Sequence, residues 1–339
     1  MKRICLILIF GVVLLLAGGC ATKADEPATR TIFAMDTVMT LTAYGDQAEE
    51  ALDAAEQDII ALDQMLSTED PNSEIYALNS SGFSVLSETT AYLVEQALAV
   101  SDMTGNAFDP LIYPLMKAWG FPDQEYRVPD PDEIDALLPL LDPEQVSFDS
   151  DDGRVEFETP GMMIDLGGIA KGYTSAFFME TFQKYGMDSA LVNLGGNVEA
   201  LGSKPDGSAW KVAIQDPEDP SSYISVLEIR DQAVITSGGY ERYFEENGQI
   251  YHHILDPSTG YPSDSGVLSV SIISSNGTLA DAMSTALFVL GVEQGSEIWR
   301  EHADQFDVIF LTDDHRLYVS EGVFDDVASS EYPVTVITK

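Results

Sequence analysis

Two blocks of this chain carry the residue types best suited to chemistry: Asp165-Leu166-Gly167-Gly168-Ile169-Ala170-Lys171-Gly172 and Ala280-Asp281-Ala282-Met283-Ser284-Thr285-Ala286-Leu287. In the first, two glycines and a lysine follow an apolar run at 162–164 and open a periodic segment through Ala176, Phe177, Met179 and Phe182. That pattern reads as strand, tight turn and helix start, a place where backbone groups approach a ligand closely and a helix N-terminus faces an anion. In the second, a carboxylate and a hydroxyl stand four residues apart, and on a helix that spacing puts both oxygens on one face. Mg²⁺ takes oxygens from carboxylates, hydroxyls and carbonyls. The two blocks together point to a Mg²⁺-assisted site for a phosphate-bearing ligand. Met283, Leu287 and Leu290 mark an apolar face off the line of Asp281 and Thr285, so the core is not expected to claim that pair.

The elements that must position these blocks follow from periodicity. Residues 31–44 have strand character, broken near Met35-Asp36-Thr37, and 47–66 repeats Ala51, Leu52, Ala55, Ile59, Leu62 and Leu66 at helical spacing. A second helix is expected over 89–103, stopped by Thr104-Gly105, then an ordered loop and short helix over 106–120. Residues 122–143, acidic and proline-rich with a short helix near 132–138, read as a peripheral excursion. Residues 146–158 read as a hairpin turning at Asp151-Asp152-Gly153. Short strands over 190–193, 210–215, 223–229, 233–236 and 267–273 precede the second block, and a further helix is expected over 293–302. The tail returns to strand at 308–311, 317–319 and 334–337. Strands and helices mix without regular βαβ alternation, which predicts an α+β fold with mixed or antiparallel sheets and packed helices.

The formal charge of −41 over 339 residues argues against nucleic acid as a partner and against adsorption to anionic lipid. It also repels a phosphorylated ligand unless a divalent cation or a local lysine offsets it. The start of the chain reads as an export signal: Lys2 and Arg3, an apolar stretch over 4–16, then Ala17-Gly18-Gly19-Cys20. This resembles a bacterial lipoprotein signal (1–19) in which Cys20 is lipidated, although Ala17 stands where Leu is usual. An ordinary secretory signal with an incidental cysteine is the alternative. The chain has two cysteines, and Cys5 leaves with the signal, so Cys20 has no disulfide partner. Residues 20–29 then form the lipidated cysteine and a polar tether, and 30–339 the functional domain. That anchor predicts residence at the cell membrane, on its extracytoplasmic side.

The motifs, taken in order, resemble those of the ApbE-type flavin transferases, the FAD:protein FMN transferases, across essentially the whole mature chain. They are Met35-Asp36-Thr37, Ala107-Phe108-Asp109, Trp119-Gly120-Phe121, Asp165 through Gly172, Asn193-Leu194-Gly195-Gly196-Asn197, Ser237-Gly238-Gly239-Tyr240-Glu241-Arg242, His253-Ile254-Leu255-Asp256-Pro257-Ser258-Thr259-Gly260, and Ala280 through Ala286. The resemblance implies a single catalytic unit of two lobes that takes FAD as substrate, with Mg²⁺ at its pyrophosphate. It implies metal ligands at Asp281, Thr285 and the carbonyl of Gly168, with Ser284 nearby. It implies FAD contacts at Met35, Ala107, Phe108, Asp109, Asp165, Lys171 and Leu255. Read without it, Lys171 offers a point charge to phosphate or stands as a surface lysine, Asp165 binds a ligand or caps the following helix, and Phe108 and Met35 serve equally well as core. One departure stands out: many relatives carry a flavin-contacting Tyr where this chain has Glu69, and Tyr76 substitutes only if the loop rearranges.

Transfer of FMN to protein needs an acceptor Thr or Ser hydroxyl to attack the FMN-side phosphorus, with AMP leaving. His253 is the candidate general base, and a structural histidine beside His252 is the alternative. The resemblance implies an acceptor among subunits of Na⁺- or H⁺-linked oxidoreductases or secreted flavin reductases. The same site using water would be an FAD pyrophosphatase giving FMN and AMP, and a non-enzymatic reading is a lipid-anchored flavin carrier.

Overall fold

Burial alternates along Thr37–Tyr44: Met39, Leu41 and Ala43 are buried while Val38 and Thr40 face solvent, as a half-buried strand requires. It pairs antiparallel with Ala28–Ala34, and the two are joined by Met35 and Asp36 alone. Both joining residues have positive φ, 48° and 57°, the backbone of the two-residue hairpin turn that matches strand twist. The computed structural model describes residues 26–219, 221–327 and 330–339. The expected signal and Cys20 lie outside those residues. The first strand begins at Ala28, two residues inside the span expected to be tether.

That hairpin opens a nine-stranded sheet. Beyond it lie, in spatial order, Ser189–Leu194, Asn197–Gly202, Ala233–Gly238, Val267–Ser274, Asp307–Thr312, Leu317–Ser320 and Val334–Ile337. Every neighbouring pair is antiparallel except the last, which is parallel. The helices, in chain order, are α1 (Ala48–Leu66), α2 (Glu74–Ser81), α3 (Glu88–Met103), α4 (Tyr113–Trp119), α5 (Pro131–Leu137), α6 (Gly167–Lys184) and α7 (Gly277–Glu301). The fold is therefore α+β, as the irregular order of elements predicts. Alternation along Val267–Ser274 sends Val270 and Ile272 into a core shared with α7, and Ile273 into one shared with a separate ribbon, Trp210–Gln215 paired to Tyr223–Ile229. The sheet is thus covered on both faces.

Four expectations change. Met162 and Ile164 are buried, but residues 162–164 form no strand; the Asn79 side chain takes the place of a neighbouring strand, donating Nδ2 to the Ile164 carbonyl at 2.8 Å and accepting the Ile164 amide at 2.7 Å. Gly167 and Gly168 are not a turn ahead of a helix but its first residues. The segment expected to be peripheral is not: Ile134 and Leu141 share a core with Leu115, Trp119, Phe121 and Leu255. Finally, α7 is not a half-exposed helix. It lies between the sheet and α6, so Ala280, Asp281, Ala282, Met283, Ser284, Ala286, Leu287 and Phe288 are all buried. The two helical segments expected at its start and end join at Gly291, whose φ of 72° and ψ of −175° break the helical path.

Candidate functional site

A cleft of about 1170 Å³ runs between the turn of the first hairpin, the start of α6, the end of Ala233–Gly238 and the first half of α7. Met35, Ala107, Phe108, Asp109, Asp165, Gly168, Lys171, His253, Leu255, Asp281 and Thr285 all line it. Ser284 does not: it is fully buried behind Asp281 and donates its hydroxyl to the Asp281 carbonyl at 2.7 Å.

Asp281 is fixed by the close crossing of α6 and α7. A Cβ on Gly172 would stand 2.1 Å from the Gly277 carbonyl oxygen and 2.6 Å from Asp281 Cβ, so only glycine lets the helices meet this closely. The contact lets the Gly172 amide donate to Asp281 Oδ2 at 2.8 Å, and Asn197 Nδ2 donates to Oδ1 at 2.9 Å. In a helix the Gly172 amide ordinarily serves the carbonyl of Gly168. Burial pushes the Asp281 carboxyl above its ordinary range, against the Lys171 charge and these hydrogen bonds.

Lys171 and Arg242 both line the cleft, and the Lys171 charge bears on Asp165, Glu241, His253 and Asp281 alike. Asp165 lines the cleft and accepts the Gly167 amide at 2.8 Å, while the N-cap position of α6 itself is Leu166, which makes no side-chain cap. Asp109 is buried, and burial pushes its carboxyl up to about 6. Its Oδ1 accepts the Leu111 amide at 2.8 Å, while its buried Oδ2 has no partner among the described residues. An unpartnered buried carboxylate oxygen on a cleft wall is suited to a ligand donor.

His253 sits on the strap after the hairpin Tyr243–Glu246 and Gln249–His252. Its Nδ1 lies 3.1 Å from the Arg242 carbonyl, which also accepts the His253 amide at 3.0 Å. A carbonyl only accepts, so Nδ1 carries the hydrogen and Nε2 presents a lone pair. Burial, reinforced by Lys171 and Arg242, lowers its pKa to about 3, so the imidazole is neutral near neutral pH. The turn beyond it is anchored by Trp119, whose Nε1 donates to the Gly260 carbonyl at 2.9 Å, and by the Asp256 carbonyl, which accepts the Gly260 amide at 2.7 Å.

Several site residues were quoted in motifs without a role. Asn197 holds Asp281, Ser237 lies against Ser284 and Thr285, and Arg242 donates to the Phe121 carbonyl and covers its ring. Only the i, i+4 pair and the glycine spacing carry a local signal; these three depend on strand register. Glu69 lines the cleft and Tyr76 does not. The tyrosines that do are Tyr113, Tyr126 and Tyr240, with Tyr113 hydrogen-bonded to Thr68. Pro122, Gln124 and Tyr126, from the segment expected to be peripheral, form part of the wall.

Residues 35–310 match the ApbE family. The FAD:protein FMN transferase of Treponema pallidum is 34% identical over 332 residues, covering 91% of each chain. One from Klebsiella pneumoniae is 40% identical over 229 residues, 67% of this chain and 70% of its own. Among solved structures, the ApbE protein of Thermotoga maritima has a TM-score of 0.83 at 31% identity, spanning 89% of this chain and 99% of that one. The flavin transferase ApbE of Vibrio cholerae has a TM-score of 0.79 at 27% identity, with the same coverage. A match over residues 35–310, together with relatives aligned along nine-tenths of the chain, places this protein in the ApbE family.

Proposed function

We propose that this transferase is a Mg²⁺-dependent FAD:protein FMN transferase acting on a Ser or Thr of an exported redox protein. The observation that carries the reading is one cleft lined by Lys171 and by a buried carboxylate and a half-buried hydroxyl four residues apart on α7. Among the described residues no group of three or more His, Cys, Asp or Glu could hold a metal, which disfavours a closed, protein-only cage. The oxygens present fit Mg²⁺ instead, since that ion is held by one or two carboxylates with phosphate oxygens completing the shell. Asp281 and Thr285 would hold it, with the Gly168 carbonyl as the backbone ligand and Ser284 bracing from behind. Bound there, Mg²⁺ neutralises charge on the pyrophosphate oxygens.

The chain's own residues do the rest. Lys171 offers a compact positive charge to the diphosphate in a protein whose net charge of −41 otherwise repels it. His253 Nε2 accepts the proton of the acceptor hydroxyl as its oxygen bonds to the FMN-side phosphorus. The bond from that phosphorus to the bridging oxygen breaks, and AMP leaves with the oxygen. Negative diphosphate in the cleft offsets the Lys171 and Arg242 charges that depress His253, raising its basicity when substrate is bound.

The charged, apolar and small-residue pattern of residues 1–20 supports lipid anchoring at Cys20 and work on the extracytoplasmic side. The acceptor is then a membrane-bound oxidoreductase subunit or a secreted flavin reductase. The test follows AMP release and acceptor mass together, with FAD, Mg²⁺ and a candidate acceptor. AMP with a mass gain of one FMN supports transfer. AMP and free FMN formed without acceptor would make the protein a pyrophosphatase, and bound FAD without AMP a carrier.

A further inference from the structure

Four oxygens tie the strand Ala233–Gly238 to α7. Ser284 Oγ donates to the Asp281 carbonyl at 2.7 Å. It stands 2.7 Å from Ser237 Oγ, and Ser237 Oγ stands 3.4 Å from Thr285 Oγ1. A carbonyl only accepts, and each hydroxyl has one hydrogen. With the Ser284 hydrogen committed to the carbonyl, Ser237 must donate to Ser284. Its own hydrogen is then spent, so the contact with Thr285 is made by the Thr285 hydrogen. The chain runs one way, from Thr285 to Ser237 to Ser284 to the Asp281 carbonyl. Ser237 and Thr285 line the cleft, while Ser284 is fully buried.

We propose that Ser237 is a positioning residue that draws the Thr285 hydrogen away from the cleft, so that Thr285 presents only lone pairs to a hard cation. A hydroxyl free to rotate would turn its hydrogen toward the cation part of the time, and the two positive ends repel. Each donated bond also polarises the next, which makes the Thr285 oxygen a better electron-pair donor. The chain ends on Asp281, so the two α7 ligands share one scaffold. The inference rests on the reading that Asp281 and Thr285 hold Mg²⁺, and it adds how the weaker, neutral ligand is made fit for the task.

The test is calorimetric titration of the full chain with Mn²⁺ as the probe ion, with ADP present as a plain pyrophosphate. Ser237→Ala should weaken Mn²⁺ binding by about 10- to 100-fold, the usual loss for a group that orients a metal ligand. Ser237→Thr, which keeps the hydroxyl, should recover most of it. In a Thr285→Ala background, Ser237→Ala should cost little more, because its effect passes through Thr285. A bare strand-to-helix tie would lower the unfolding midpoint and leave Mn²⁺ affinity alone. Equal Mn²⁺ affinity in wild type and Ser237→Ala, or the same loss in both backgrounds, overturns the relay while the cation site stands. A wild-type protein that takes up no Mn²⁺ overturns both.

Discussion

Replacing Glu199 with glutamine should make the protein more stable above neutral pH and leave it little changed near pH 5. Glu199 is 6% exposed, and among the described residues its side chain has one hydrogen-bond partner, Ser175 Oγ at 2.5 Å. Ser175 Oγ also lies 2.9 Å from the Gly172 carbonyl. A single serine hydrogen cannot serve both acceptors, so a protonated Glu199 donating to Ser175 satisfies the chain where an ionised one does not. Burial raises the Glu199 carboxyl from 4.5 to about 7, against the Ser175 bond. The unfolded chain therefore gives up this proton first, and between those values the native state binds more protons. Stability from this group is fully present below about 4.5 and is lost as pH rises through about 7. At about 1.4 kcal/mol per pKa unit, the loss between pH 5 and pH 8 is about 2–3 kcal/mol. Glutamine stays neutral and keeps a donor for Ser175, so it escapes the loss. Urea unfolding of wild type and Glu199→Gln at both pH values reads the difference directly. A gap between the two proteins that stays constant from pH 5 to pH 8 would refute a proton on Glu199.

His253→Gln should lower FMN transfer by about 10²–10⁴-fold with FAD binding little affected, the loss typical of a general base; near-normal turnover would demote the residue to structure. Because its pKa in the free protein is lowered to about 3, the acid side of the kcat/KM profile should show no fall near 6.5, and a break there would count against the assignment. Gly172→Ala should destabilise the protein by more than about 1–3 kcal/mol, since the new methyl meets the Gly277 backbone rather than a yielding side chain. Urea unfolding checks this, and a wild-type midpoint would mean that the helices do not cross as closely as described.

What the sequence discloses about this fold is what is local. The recurrence of Ala51, Leu52, Ala55, Ile59, Leu62 and Leu66 places α1 within a residue of its ends, because one buried stripe decides a helix. Spacing alone puts Asp281 and Thr285 on one face of α7, and both do line the cleft. What it hides is set by contacts between distant segments. Nothing near Met283 and Leu287 announces that Asp281 is buried, because that depends on α6 closing over α7 from the side away from the sheet. Gly172 and Asp281 are 109 positions apart, and Asn197 reaches Asp281 only through the register of Asn197–Gly202 against Ala233–Gly238. The run at 162–164 shows the same limit from the other side: it has the composition of a strand, yet a side-chain amide 85 positions away serves as its neighbour.

The crossing of α6 and α7 also bears on how so acidic a protein could hold the anion proposed for its cleft. Two buried carboxyls, Asp281 and Glu199, sit at that crossing, and they are treated differently. Asp281 opens on the cleft, and the Lys171 charge and two donors oppose the rise that burial imposes on its carboxyl. Among the described residues no cation acts on Glu199, which does not line the cleft, so burial favours its protonated form. An ionised Glu199 would place a further negative charge behind Asp281, against the diphosphate proposed to bind at Lys171. Burial raises both carboxyls, and Asp281 differs from Glu199 in having Lys171 and two donors to favour its charged form, which would let this crossing face the proposed phosphate-bearing substrate.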